Sequence, residues 1–496
     1  MRRLLWPLFA AVSGVLWALC FGKHSLPWAS FVALAPLVLL LRSPAPGRLG
    51  WLHGFVYWMT ALSWIPPTMV TYGHMPLPAA IPLVGLLAGY LALSHAAFAG
   101  FGAVILRRGG LLPWIGLPAL WTALEWLRTY LGGGFPWNLA AYAWTDLPGA
   151  LPLSAAVGAY GISFLLVFAA TGVALCVLRR RWEPLAAGLL IPLLLFALGG
   201  RAGTRFEIGR MEHFLDRPPL PVRLLQPNIA NLTSPDEVAA WRNYRQVVGM
   251  SRAACEEGTL VVWPESATWP FSYERDPNLQ TDLARLVEKG CTVLFNADHE
   301  VGSVLYNSAY LLGPGGARAR YDKRHLVPFG EYVPFRGIFS FVDKLARDAG
   351  EFRPGEEVRL LPWEGEKLGM SICYEVVFPA EVAEEVRAGA TVLVTITNDA
   401  WYGDTAAPWQ HFRAARFRAA ENRRPLLRAA ITGISALVSP DGSVRREIGP
   451  FKEGVIRARV MGESEITPFA RCPWLVPALC TLIALTAFGV SLRKRA

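Results

Sequence analysis

Long stretches of this chain contain no Lys, Arg, Asp or Glu, and that absence constrains the fold more than any motif. Inside a bilayer the backbone has no water to bond to, so an apolar stretch must close its own hydrogen bonds as a helix. About 20 residues, rising 1.5 Å each, cross roughly 30 Å of hydrocarbon. The pattern predicts spans near 4–21, 25–41, 50–70, 77–106, 111–127, 150–178, 184–200 and 473–492. Pro66, Pro67, Pro76 and Pro78 separate the third from the fourth. The runs 77–106 and 150–178 exceed one crossing and are expected to tilt or to include interfacial turns. Charged residues make up 17% of the chain, where a soluble protein carries about a quarter.

The charges that remain orient the chain. Arg2 and Arg3, Arg42 and Arg48, Arg107 and Arg108, Arg179 to Arg181, and Arg493, Lys494 and Arg495 fall on alternate connections, while the segments between them carry only Lys23 and Arg128 as positive residues. Positive connections stay cytoplasmic. Seven crossings from a cytoplasmic N-terminus then leave 201–472 outside, and the last span returns the tail. The net charge of +10 follows the same division: residues 1–200 with 473–496 hold a balance of +11, and 201–472 a balance of −1. The basic excess marks topology, and with no basic domain to grip phosphate a nucleic-acid partner is not expected.

Within the apolar part, Glu125 is weighed as a functional intramembrane carboxylate against the favoured reading, an i,i+3 ion pair with Arg128 at the interface. His53 and His95 are expected to be packed or interfacial rather than catalytic, and the Gly- and aromatic-rich loop 131–149 to lie on the membrane surface. Seven cysteines without a C-x-x-C pair predict no disulfide framework; Cys255 and Cys291 are the one pair weighed for a bridge.

Residues 220–460 read differently. Strands are predicted over 221–229, 259–265, 291–297, 303–312, 367–373 and 391–397, with helices near 236–257, 277–289, 379–388 and 408–423. Strands alternating with helices define an α/β domain. The expected organisation is a membrane domain over 1–200 with seven transmembrane helices, an outer domain over 220–460, and a C-terminal transmembrane helix over 473–492.

Three reactive residues end or follow predicted strands, where α/β domains place their sites. Glu265 closes LVVWPES, Lys323 lies in RYDKRHLVPFGEY, and Cys373 ends GMSIC. Taken singly, each has an ordinary reading: a capping carboxylate, a solvated cation, a small buried hydrophobe. Together they supply a nucleophile, a base and an oxyanion partner. A thiol needs a base to attack, burial raises a glutamate towards that role, and a fixed ammonium stabilises the oxyanion that forms.

With these segments the outer domain resembles the carbon–nitrogen hydrolase (nitrilase) superfamily, whose fold is an αββα sandwich with a Glu–Lys–Cys triad. The resemblance rests on WPES at 263–266, YDKRHLVPFGEYVP at 321–334, CYE at 373–375 and TNDAWYG at 397–403. Set between amino-terminal spans and one carboxy-terminal span, with GFPWN at 134–138, the whole chain is similar to the bacterial apolipoprotein N-acyltransferase family. The resemblance implies Cys373 as nucleophile, Glu265 as general base and acid, and Lys323 on the oxyanion. It implies supporting roles for Glu331, Tyr374, Glu375, Asn307 and Trp401. It also implies a phospholipid acyl donor, a diacylglyceryl apolipoprotein acceptor, residence in the bacterial inner membrane with the outer domain on the periplasmic face, and no metal or other cofactor.

The apolar segment 335–341, with Phe335, Ile338 and Phe339, is expected either to dip into the bilayer and gate lipid entry or to form a small satellite core. Two rival functions keep the same sequence: a membrane-anchored amidase or nitrilase acting on a small molecule, and a transporter or scaffold whose outer domain is inactive. An anchor needs one span rather than about eight, and transporters show internal repeats or mid-membrane polar sites, which this sequence lacks.

Overall fold

In the computed structural model, residues 2–24, 26–213, 218–229, 231, 236–316, 318–332 and 352–493 are described. The first 213 are helical: α1 (Arg2–Leu19), α2 (Pro27–Ala33), α3 (Ala35–Leu40), α4 (Pro46–Ala61), α5 (Ile65–Thr71), α6 (Leu77–Arg108), α7 (Leu112–Arg128), α8 (Ala150–Arg179) and α9 (Glu183–His213). Helices α2 to α7 each carry a proline in the first turn, where its missing N–H costs nothing. Among the described residues, α6, α8, α9 and the C-terminal helix over 475–492 are long and apolar enough to cross a membrane.

The helices differ from expectation in four places; the expected spans 25–41 and 50–70 are each split in two, into α2 with α3 and α4 with α5. The run 150–178 is broken at Gly158 (φ 68°, ψ 176°), so the piece after the break is about one crossing long. A Cβ at Gly158 would stand 2.5 Å from the Phe469 ring. Helix α9 continues past its expected end at 200 to His213. Its extension meets the α/β domain, where Arg210 bonds Glu463 at 2.6 Å.

The rest comprises β1 (Leu220–Gln226), α10 (Glu237–Ala254), β2 (Leu260–Val262), α11 (Pro277–Glu288), β3 (Thr292–Val301), β4 (Val304–Leu312), β5 (Arg318–Asp322), β6 (Leu361–Trp363), β7 (Glu366–Ile372), α12 (Pro379–Arg387), β8 (Val392–Thr397), α13 (Ala407–Asn422), β9 (Leu426–Ala430), β10 (Ser435–Val438), β11 (Val444–Ile448), β12 (Gly454–Val460), α14 (Pro468–Arg471) and α15 (Leu475–Leu492). The strands form two six-stranded sheets, in the orders β12-β1-β2-β3-β4-β5 and β6-β7-β8-β9-β10-β11. Along either order the pairings run antiparallel, parallel, parallel, antiparallel, antiparallel.

Alternate strand residues face opposite sides, and the burial pattern follows that rule. Leu260, Val262 and Leu294 of the first sheet pack against Met370, Ile372, Val394 and Ile396 of the second. On the outer face of the first sheet, Val261, Val293 and Phe295 meet Val247 of α10 and Leu283 of α11. The second sheet is covered by α12 and α13, whose Val382, Val386, Phe412 and Phe417 belong to the same core as the helical half. The domain is therefore an αββα sandwich with one outer helical layer facing water and the other seated on the apolar helices.

Cys255 and Cys291, the one pair weighed for a bridge, are joined in a disulfide, with Cα atoms 5.8 Å apart. The fold brings the end of α10 beside the start of β3, which no spacing in the sequence reveals.

Candidate active site

Glu265 follows β2, Lys323 follows β5 and Cys373 follows β7, so one end of the sandwich gathers all three. Each is nearly inaccessible to solvent. Lys323 Nζ lies 2.9 Å from Glu331 Oε1 and 3.8 Å from Glu265 Oε1. Asn307 donates to both carboxylates, at 3.2 Å to Glu265 Oε1 and 2.8 Å to Glu331 Oε1. Its own Oδ1 accepts from Asn296 Nδ2 at 2.7 Å. The second oxygen of Glu265 accepts the Asn398 amide at 2.9 Å, and that of Glu331 the Val327 amide at 2.8 Å. Every oxygen of the pair is thus answered, as buried carboxylates require.

Electrostatics assigns the protons. Burial alone would lower Lys323, but Glu331 and then Glu265 and Cys373 hold it above its ordinary value, so it stays an ammonium. Burial raises Glu265; Lys323 opposes the shift and Glu331 adds to it. Burial pushes the Cys373 thiol up, Glu265 pushes it further and Lys323 pulls it back. The resting site therefore holds a neutral thiol beside a carboxylate of raised basicity, the arrangement in which the base takes the proton as the sulfur attacks.

Cys373 sits in the left-handed region, at φ 53°, a conformation that costs a non-glycine residue about 1–2 kcal/mol. Two neighbours hold it there. Glu375 Oε2 accepts the Ile372 amide at 2.7 Å, while its Oε1 accepts the Tyr321 hydroxyl and the amides of Arg324 and His325. One side chain thereby ties the nucleophile's turn to the segment that carries Lys323. His411 Nε2 lies 3.0 Å from the Cys373 carbonyl. Burial, then Arg428, lowers the His411 pKa, so we take the ring as neutral, with Nε2–H donating to that carbonyl and Nδ1 accepting from Arg428 at 3.2 Å. Arg428 also binds Asp399 at 2.8 Å.

Tyr374 points to the helical half. Its hydroxyl donates to the Gly134 carbonyl at 3.2 Å and its ring stacks on Trp137 at 6.5 Å. The loop holding these residues does not lie on a surface: Trp137, Ala140 and Trp144 are buried between the two halves. The end of α7 keeps it there. Arg128 donates to the carbonyls of Phe135 and Trp137, and Glu125 accepts the Ala140 amide at 2.7 Å. These bonds replace the expected Glu125–Arg128 ion pair. His53 and His95 are packed together as expected, with their Nδ1 atoms 3.1 Å apart.

Of the supporting residues, Glu331, Asn307, Tyr374 and Glu375 join the site, and Trp401 stands apart. It is 43% exposed and meets Tyr72 edge-on at 4.6 Å beside α5. Its neighbour Tyr402 is the one half-buried against the helical half, between Trp64 and Trp137. The segment 335–341 lies outside the described residues. Sequence reasoning also missed Asn296, Asn398, Asp399, His411 and Arg428. The one signal for them was TNDAWYG, which places Asn398 and Asp399 immediately after a strand end.

A paired-sheet domain with a cysteine at a strand end and a buried Glu–Lys pair beside it is the frame of a carbon–nitrogen hydrolase, and residues 222–464 match that family. Residues 13–172 match the apolipoprotein N-acyltransferase N-terminal domain. Proteins named apolipoprotein N-acyltransferase align over almost the whole chain. That of Geobacter metallireducens is 36% identical over 92% of this chain and 90% of its own length, and that of Ralstonia nicotianae 34% over 98% and 93%. The chain belongs to the apolipoprotein N-acyltransferase family. Among solved structures, an amidase from Nesterenkonia overlays with a TM-score of 0.37 at 22% identity, covering 50% of this chain and 93% of that one; membership rests on the sequence matches.

Proposed function

We propose that the protein transfers an acyl chain from a membrane phospholipid, through a Cys373 thioester, to the N-terminal amine of S-diacylglyceryl-cysteine apolipoproteins. In the first half-reaction Glu265 takes the thiol proton as Cys373 Sγ attacks the ester carbonyl. Lys323 faces the oxyanion, and Glu265 returns the proton to the departing lysophospholipid oxygen. In the second, the acceptor amine attacks the thioester, its proton passes through Glu265 to sulfur, and the amide leaves. Loss of one oxyanion partner in such a step costs about 3–4 kcal/mol. Asn307, Glu331 and Glu375 hold the triad, and Tyr374 joins it to the loop over the helical half. No step calls on a metal or cofactor.

The observation that carries this reading is the seat of the triad: a buried Cys–Glu–Lys set at the sandwich end, with the nucleophile's sheet packed onto apolar helices. Lipid-borne substrates need such a seat, and a dry site protects the thioester from water. In this reading residues 1–200 and 473–492 form a multi-pass domain of about eight spans in the inner membrane. Both termini are cytoplasmic and residues 220–460 are periplasmic. The charge pattern supports that orientation, as does a disulfide in the sandwich, since such bonds persist in oxidising compartments.

The test is mass spectrometry of the purified protein after exposure to phospholipid vesicles. An acyl mass on Cys373 that a diacylglyceryl peptide removes, with amide formed and nothing on Cys373→Ala, is the expected outcome. An acyl group lost to water at the same rate with or without the peptide would identify a hydrolase, and full complementation by Cys373→Ala in cells a scaffold.

A further inference from the structure

Asp298 stands beside the triad without a partner among the described residues. The β3–β4 register sets it directly opposite Asn307, and opposed residues of an antiparallel pair share a face. Asn307 is the side chain that reaches both Glu265 and Glu331, so Asp298 adjoins the same pair of carboxylates. It makes no hydrogen bond or ion pair with any described residue. The side chains that follow on these strands are engaged elsewhere: His299 with Glu274, and Arg320 with Asp322 at 2.8 Å. Burial, then Glu331 and Glu265, push the Asp298 carboxyl up to about 6. The site thus sets three carboxylates, Glu265, Glu331 and Asp298, against one ammonium, Lys323.

The ester carbonyl of the donor carries no positive charge for that excess to hold. The excess suits an acceptor that arrives as a cation, because an α-amino group, with a pKa of about 7.7–8, is largely protonated near neutral pH. Resting on the acyl-transfer reading above, we infer that Asp298 is a specificity-determining residue, the docking anion for the α-ammonium of the acceptor. The chemistry balances with no further reactant. The docked ammonium releases one proton to solvent and becomes a neutral amine, whose nitrogen forms the C–N bond. Its second proton passes through Glu265 to the Cys373 sulfur as the C–S bond breaks. Water carries no charge to be docked, so a hydrolase would have no use for this carboxylate.

The experiment uses the full-length protein, radiolabelled phosphatidylethanolamine in mixed micelles, and a synthetic S-diacylglyceryl-cysteinyl peptide with a free amino terminus. The two half-reactions are timed separately in Asp298→Asn and Asp298→Glu. For Asp298→Asn the expected result is a rise of about tenfold in acceptor KM, the size of one lost charge contact, with kcat at saturating acceptor retained. The label should still accumulate on Cys373, and Asp298→Glu should recover part of the loss. An unchanged acceptor KM overturns the assignment. Equal slowing of both half-reactions also overturns it, because the side chain would then act on Glu265 and not on the acceptor. A wild-type protein that never carries label on Cys373 defeats the acyl-transfer reading itself, a result distinct from the other two.

Discussion

Helices α11 and α13 cover opposite sides of the sandwich, and each carries an acid–arginine pair at i,i+3 spacing. On α11, Asp282 and Arg285 lie 3.3 Å apart with the arginine side chain 62% exposed. On α13, Arg418 and Glu421 lie 2.7 Å apart and both are fully buried. Helix α11 is amphipathic, burying Leu279, Leu283 and Leu286 and giving the rest to water. Helix α13 is buried nearly all round although it holds Gln410, His411, Arg413, Arg418, Glu421 and Asn422. Its polar groups meet partners from the helical half. Gln410 accepts from the Trp137 indole at 2.7 Å and donates to the carbonyls of Phe21 and Ala61, and Arg413 donates to Gly22 at 2.7 Å. The same spacing thus serves two purposes. Towards water it decorates a helix, and towards the apolar half it builds a polar joint whose members cannot be removed singly.

The largest effect should come from breaking that joint. Arg418→Ala strands Glu421 as an unpaired buried charge, and thermal unfolding in micelles should show a loss of about 3–5 kcal/mol; a loss below 1 would erase the distinction between the two helices. Next comes acid stability. Burial would raise Asp399, but the Arg428 guanidinium holds its carboxyl down from its ordinary 3.8 to about 2. A depressed carboxyl adds stability that is fully present above the unfolded value and is lost as pH falls through the folded one. Between about pH 4 and pH 2 this group should forfeit about 2 kcal/mol, and the Asp399→Asn protein should lack that acid limb.

A smaller change sharpens the comparison at its link to the chemistry. His411→Leu leaves the Cys373 carbonyl unpaired, about 1–3 kcal/mol of local cost, and should lower kcat at least tenfold with donor KM unchanged. His411→Gln, which can still donate, should recover much of it. Equal activity in both variants would reduce the joint to scaffolding. The least effect is expected on the water side, where Arg285→Ala should cost no more than about 0.5 kcal/mol.

Much of the α/β order was legible in the sequence because strands and helices with one wet face announce their period. Helices α10 to α13 and strands β1 to β4, β7 and β8 lie within a few residues of expectation. Strands β5, β6 and β9 to β12 were not foreseen: β6 has only three residues, and RARYD and VRREI show no apolar alternation. Glu265 and Cys373 could be proposed because predicted strands run into them, whereas Lys323 follows the unforeseen β5 and was proposed from RYDKRHLVPFGEY. The polar joint was not legible, since QHFRAARFRAAEN has the composition of a solvated basic helix. Its partners are largely remote in sequence, among them the carbonyls of Phe21, Gly22 and Val377 and the Ala159 amide. The buried loop 134–144 misled for the same reason, being aromatic enough for a membrane surface and held inside by Arg128 and Glu125.

The break in α8 binds the two halves into a single heritable unit. At Gly158 the membrane helix gives up its ladder, and the Ala159 amide finds its acceptor in Glu421 of the sandwich, at 2.6 Å. A sandwich cut away from its helices would carry that carboxylate bare into water, and helices fitted with a foreign head would leave an N–H stranded at the edge of lipid, at several kcal/mol. Chimeras between relatives should therefore work only when they exchange both contacts together.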